Sequence, residues 1–343
     1  MIEREVRGRA EDRHGGAAGF DPAGKVPQNQ RVDTRIAGDE GPRPRTRERW
    51  WLHFLLLVLT LATTTASGAL LHGQPLAPTG AVLAPLGFSL DAVRLGLAFS
   101  LPLLAILLAH ELGHYLTARR YGMDVSPPYF IPAPHVVNLI GTFGAFIRLR
   151  SRMANRRALF DVGAAGPLAC FAVALPAAMV GLAWSSPAAA PAAGAGGFVV
   201  VFAGTPVWLG SSLLFEGLTT CFAPRAPVIV LHPLAFAAWL GFFVTALNLV
   251  PLSQLDGGHI LYALGGRWQR PVAWAFVGVL LAIGVFWWGW WLWTAVILLF
   301  GRGRVAHPPI WDVVSPLPPW RRRGAWACIA LFVLTFTPVP LRL

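Results

Sequence analysis

The chain contains His110-Glu111-Leu112-Gly113-His114. On a helix, two histidines four residues apart lie on one face, one turn apart, and can bind a single metal ion together. Glu111 sits one step round from His110. It can reach a water on the same metal and take its proton. This is the chemistry of metal-assisted hydrolysis. The surroundings are unusual for it: Leu103 to Ala109 are aliphatic throughout. Each ionisable group at mid-membrane costs about 2.5–3.5 kcal/mol, so three within five residues need a common purpose. The bland alternative is a solvated helix end at the membrane interface.

A catalytic zinc takes three protein ligands and keeps one position open. The residues after His114, Tyr115 to Asp124, contain no further histidine, so the third donor must come from elsewhere. Beyond residue 50 there are seven acids: Asp91, Glu111, Asp124, Asp161, Glu216, Asp256 and Asp312. Asp256 is the best candidate. It follows an apolar run in Asn248 to Ile260 (NLVPLSQLDGGHI), after a helix-interrupting Pro251 and before two glycines that let backbone approach closely. Broken helices at membrane depth are tolerated where they line a cavity enclosed by protein. A solvated helix cap is the alternative for Asp256. Asp161 competes, but it opens an apolar run, where an acid favours the positive helix end, so it reads as structural.

The elements that must position these groups are membrane spans. The chain has 343 residues, 55% hydrophobic and 13% charged, against about 25% charged in soluble domains. The expected fold is an all-α polytopic membrane protein of about six to seven transmembrane helices. Its apolar runs are Trp50–Leu71, Leu95–Tyr121, Ala158–Trp184, Pro233–Leu252, two short arms within 271–300 turning at Trp287–Trp291, and Gly324–Val339. Gly141 to Leu149 (GTFGAFIRL) reads as a short, membrane-associated strand or hairpin, with an interfacial loop as the alternative. The loop 185–232 holds only Glu216 and Arg225 as charges, which fits an external or membrane-hugging segment. Residues 1–49 are polar, Gly/Pro/Arg-rich and aperiodic, and read as a disordered cytoplasmic tail. Residues 50–343 are expected to form one transmembrane domain that carries the hydrolytic site.

Charge sets the expected orientation. The first 50 residues carry 11 of the 28 basic residues and 9 of the 16 acids. The other 17 basic residues cluster at the ends of apolar runs, as cytoplasmic anchors do. Arginines at 43–49, 119–120 and 148–157 place the N-terminus and the cytoplasmic end of the His110 helix inside. With no soluble basic face, nucleic acid is not an expected partner. Cys170, Cys221 and Cys328 lie far apart and imply no disulfide framework.

Several motifs together resemble the site-2 protease family of intramembrane zinc metalloproteases, in the subgroup without a PDZ domain that includes the EGY-type proteins. They are HELGHYLTARRYGMDVSPPYFIPAP, GTFGAFIRLRS, NRRALFDVGAAGPLA, NLVPLSQLDGGHI and TFTPVP, spread over most of residues 100–340. The resemblance implies one zinc per chain on His110, His114 and Asp256, with Glu111 as general base. It also implies that Asn248 lies near the metal and steadies the tetrahedral intermediate. One departure is visible: Cys170 stands where the family pattern usually has glycine. The implied function is cleavage of transmembrane segments within the lipid bilayer, fed with water from the cytoplasmic side. The GTFGAFIRL strand would pair with an unwound substrate by β-addition. Two other classes stay open: an inactive relative acting as scaffold or chaperone, and a metal transporter, which would spread polar residues over more spans. One lysine against 27 arginines suggests a GC-rich bacterial genome, hence a bacterial inner membrane. Substrate identity and oligomeric state are left open.

Overall fold

A computed structural model describes residues 48–71, 90–151, 153, 155–190, 196–310, 312 and 315–342. The expected tail, apart from its last two residues, lies outside these. Among the described residues, three helices are long and apolar enough to cross a membrane: α1 (Trp50–Leu70), α2 (Leu90–Arg120) and α3 (Arg156–Ala183). Many of their polar groups are satisfied internally, as an apolar environment demands. In α1 the hydroxyls of Thr60, Thr63 and Thr64 donate to carbonyls one turn earlier. In α3 the Asn155 side chain accepts from the Ala158 N–H and caps the helix.

The helices that follow are shorter: α4 (Leu213–Phe222), α5 (Pro233–Leu249), α6 (Asp256–Gly265), α7 (Gln269–Ile283), α8 (Gly289–Phe300) and α9 (Pro319–Thr335). α5 has 17 residues, about 25 Å at 1.5 Å per residue, under the hydrocarbon thickness of about 30 Å. Pro233 starts it at N1, and Pro251 forbids its continuation. The segment 271–300 is broken near Trp287, giving α7 and α8 as the two short arms expected there. α9 begins at Pro319, ahead of the Arg321–Arg323 cluster, because proline suits a first helical turn.

The helices pack through small residues. A Cβ added at Gly113 of α2 would sit 2.4 Å from the Ala165 carbonyl oxygen of α3, so these backbones touch directly. One core cluster joins Phe99, Leu103, Ile106 and Leu107 of α2 with Ala174 and Ala178 of α3 and Phe236 to Phe242 of α5. The site lies where α2, α3, α5 and α6 converge.

Among the described residues, two sheets accompany the helices. β1 (Tyr129–Pro132) and β2 (Thr142–Phe146) form an antiparallel pair, with Phe130 opposite Ala145. This is the strand expected within 141–149. Its connecting segment exposes Val136 and Val137, and β2 exposes Phe143. No described strand pairs with the other edge of β2.

The second sheet was not expected. The segment read as an external loop contains β3 (Ser186–Ala188), β4 (Gly197–Phe202), β5 (Thr205–Leu209) and β6 (Val228–Val230), joined by β7 (Leu341–Arg342) in the order β3-β6-β4-β5-β7. β4 and β5 are linked by Ala203 and Gly204, both at positive φ (48° and 82°), the backbone of a tight two-residue hairpin.

Candidate metal centre

His110 and His114 sit on the buried face of α2, and Asp256 is the first residue of α6. The chain reverses between α5 and α6 in a tight turn. A Cβ at Gly257 would lie 1.9 Å from the Leu249 carbonyl oxygen, so only glycine lets α6 start against the end of α5. That turn carries Asp256 to the two histidines. His110 Nε2 and His114 Nε2 are 3.1 Å apart, and Asp256 Oδ2 lies 3.4 Å and 3.3 Å from them. All three side chains are buried. Among the described residues they form the one group of three or more such side chains close enough to share a metal ion.

The donor set fits zinc. Ligands about 2.05 Å from a tetrahedral ion are separated by about 3.3 Å, which matches the three distances above. Asp256 Oδ2 is buried with no hydrogen-bond partner, an uncompensated carboxylate oxygen that a cation would satisfy. His114 Nδ1 donates to the Val162 carbonyl at 2.8 Å. Its proton is therefore on Nδ1, and Nε2 offers a lone pair to the cluster, the arrangement of a metal-bound histidine. Gly166 of α3 makes room for that ring, since a Cβ there would lie 2.1 Å from His114 Nε2.

Glu111 is buried beside the cluster and faces the backbone amide of Ile147, just past β2. Asn248, on α5, holds its amide nitrogen 3.5 Å from His110 Nε2. His110, Glu111, His114, Asn248 and Asp256 all line one cavity of about 1100 Å³. Its other walls include the end of β2 with residues 147–151, and the segment His307 to Ile310.

Asp161 is not in this group. Its carboxylate accepts from Arg321 Nε at 2.8 Å and Nη2 at 2.6 Å, and from the Tyr121 hydroxyl. It is structural, though not through the helix end: α3 begins at Arg156, so Asp161 lies beyond the first turn. It ties α3 to α9. Cys170 is fully buried, with Sγ 3.6 Å from the Gly241 carbonyl oxygen, away from the proposed ligands.

Two residues of the cavity were not singled out from sequence, His259 and His307. His259 Nδ1 lies 2.8 Å from His307 Nε2. Burial pushes both imidazoles below the usual histidine pKa. His259 could have been flagged, because it follows Asp256 by three residues and shares its side of α6. His307 comes from a distant loop and carries no local signal.

The fold and the cluster together define a class: a helical protein with membrane-length apolar helices and a His-His-Asp donor set gathered from two of its helices. Within that class the chain belongs to peptidase family M50, whose family model matches residues 98–288. This is the site-2 protease family, and the similarity lies toward its EGY-type members. The chain is 33% identical over 259 residues to the probable zinc metalloprotease EGY1, chloroplastic, of Oryza sativa subsp. japonica, covering 73% of this chain and 42% of the relative. It is 32% identical over 226 residues to the probable zinc metalloprotease EGY2, chloroplastic, of Arabidopsis thaliana, covering 64% and 38%. It is 29% identical over 314 residues to the Arabidopsis EGY1 protein, covering 87% and 55%. The chain thus spans less than half the length of the first two of these relatives. No solved structure matches it.

Proposed function

We propose that this chain is an intramembrane zinc metalloprotease that cleaves transmembrane segments of other membrane proteins. The observation that carries the reading is the buried triangle of His110 Nε2, His114 Nε2 and Asp256 Oδ2, with edges of 3.1–3.4 Å. These residues would hold one zinc per chain. Zinc bound there would polarise the scissile carbonyl and lower the pKa of an attacking water.

The chain's own residues supply the rest. Glu111 takes a proton from the attacking water and returns it to the amide nitrogen as the C–N bond breaks. The water oxygen ends in the new carboxylate and the leaving group departs as an amine. The Asn248 amide donates to the carbonyl oxygen as negative charge develops. A helix protects its own peptide bonds, so the substrate must unwind first. The free edge of β2 would hold the unwound stretch as an added strand.

The same reading makes the lipid bilayer and single-span proteins the partners, with no nucleic acid. It places the N-terminus in the cytoplasm, and the shorter α5, α7–α8 and α9 complete six to seven crossings. A bacterial inner membrane is favoured by the arginine-rich, lysine-poor composition, although the relatives are chloroplastic by name. The inactive-scaffold alternative is disfavoured by the intact set of His110, Glu111, His114 and Asp256. A Glu111→Gln protein decides between them. The protease loses cleavage of a model transmembrane substrate while retaining zinc; a scaffold keeps its cellular phenotype.

A further inference from the structure

His259 has no part in the chemistry above, yet it lines the same cavity, one turn beyond Asp256 on α6. Its proton can be located from its partners. The Pro308 carbonyl can only accept, and it lies 2.6 Å from His307 Nδ1, so that nitrogen carries the hydrogen. A neutral imidazole has one N–H, so His307 Nε2 is an acceptor. The 2.8 Å contact then requires His259 Nδ1 to donate. His259 has thereby used its one proton, and its Nε2 is left as a bare lone pair. No described residue bonds to that nitrogen, and it is not among the buried atoms lacking a partner. It therefore opens on the cavity.

This chain of bonds is held rigidly. The buried Gln269 accepts from the His307 N–H at 2.9 Å and donates to the carbonyls of Pro251 and Val305, both at 3.2 Å. The Tyr262 ring packs on His307 with centroids 4.7 Å apart. A Cβ at Gly163 would lie 2.8 Å from His259 Cβ, so α3 and α6 meet closely beside it.

An extended peptide presents its main-chain N–H and C=O groups to both sides. β2 can satisfy one side. The N–H groups on the other side would be left unpaired in a membrane cavity, at a cost of several kcal/mol each. The wall formed by His259 and the segment His307 to Ile310 comes from neither β2 nor the metal cluster, and neither do Met153, Val162 and Gln254 elsewhere in the lining. We propose that His259 is a substrate-binding residue whose Nε2 accepts a hydrogen bond from a main-chain N–H of the unwound substrate, on the side turned away from β2. This rests on the protease reading and assigns one specific contact within it. His307 is a positioning residue that fixes the His259 tautomer.

The test uses the full chain in detergent, with Glu111→Gln to block turnover. The probe is a fluorescein-labelled single-span peptide with a central Asn-Pro, made also with N-methylation at each central residue in turn except the proline, which has no N–H. In the Glu111→Gln parent, methylation at one position weakens binding by about tenfold, as expected for a lost buried hydrogen bond. Adding His259→Leu weakens the unmethylated peptide by a similar factor and abolishes the extra loss at that position, with zinc content unchanged. Adding His307→Leu instead frees the His259 tautomer and weakens binding several-fold. If His259→Leu and its parent respond alike to every methylation while both hold zinc, the proposal is overturned. An unchanged affinity in His307→Leu removes the positioning role. A chain with Glu111 intact that binds the peptide without cleaving it overturns the protease reading alone. A parent that holds zinc and binds none of the peptides overturns both.

Discussion

Gly166→Ala is the substitution that probes the centre most sharply, because it replaces none of the proposed ligands. The new Cβ would lie 2.1 Å from His114 Nε2, 2.5 Å from Cε1 and 2.6 Å from Cδ2. Ordinary contact begins at 3.4 Å, so one partner must retreat by about 1 Å or more along the line of contact. A retreat of α3 would open the close packing of its Ala165 carbonyl against Gly113 of α2. Otherwise the His114 ring must turn away, and it is tethered through Nδ1 to Val162, on the same helix as the intruding methyl. Either way the Nε2 lone pair leaves the triangle whose edges match a tetrahedral ion. Disturbing a group that merely orients a ligand typically costs 10- to 100-fold in metal affinity. Displacing the ligand itself should cost at least about 100-fold, or about 2.7 kcal/mol. The assay is zinc content by elemental analysis and affinity by chelator competition, with thermal unfolding recorded alongside. Gly181→Ala, which meets the Ala235 amide nitrogen at 2.3 Å and no residue of the site, serves as a comparison on the same helix and should keep its zinc. If Gly166→Ala binds zinc as tightly as the parent chain, the assignment of His114 Nε2 as a ligand is wrong.

Asp256→Asn should lose zinc and cleavage together, whereas Asp161→Asn keeps its zinc and loses about 1–2 kcal/mol through its charge-assisted bonds to Arg321; metal analysis and thermal unfolding of both variants check this, and the reverse pattern refutes it. Asn248→Ala should lower kcat by about 10²- to 10³-fold with zinc retained, the usual cost of one lost donor to a developing oxyanion; single-turnover cleavage at saturating substrate reads it. The hydrogen bond from Arg150, which outweighs the opposing effect of burial, holds the Glu48 carboxyl below its usual pKa. A depressed carboxylate stabilises the fold above its unfolded pKa, and that stability is lost as pH falls through the folded value. Glu48→Gln should therefore lower the thermal midpoint at pH 7 and leave it nearly unchanged once the pH has fallen below the depressed folded value; equal effects in both ranges would contradict the ion pair.

Local pattern alone was enough for part of this protein. The spacing of His110 and His114 needs only helical periodicity to bring them onto one face. The length and apolar character of α1, α2 and α3 follow from composition, because a bilayer leaves few other folds for such runs. Pro251 and the glycines after Asp256 announce a broken helix, and elimination among seven acids sufficed to single out Asp256. Contacts across distance are another matter. The salt bridge of Asp161 with Arg321 joins residues 160 positions apart, and no local feature of either marks the pairing. The sheet of β3 to β7 escaped notice because its strands have only two to six residues and its last member comes from the chain's far end. In strands that short, pairing is decided by the partner and hardly at all by the alternation of side chains. The tautomer of His259 is the extreme case. It depends on a carbonyl at Pro308 acting through a second histidine, and a proton's position is set by neighbours in space, which only the folded chain supplies.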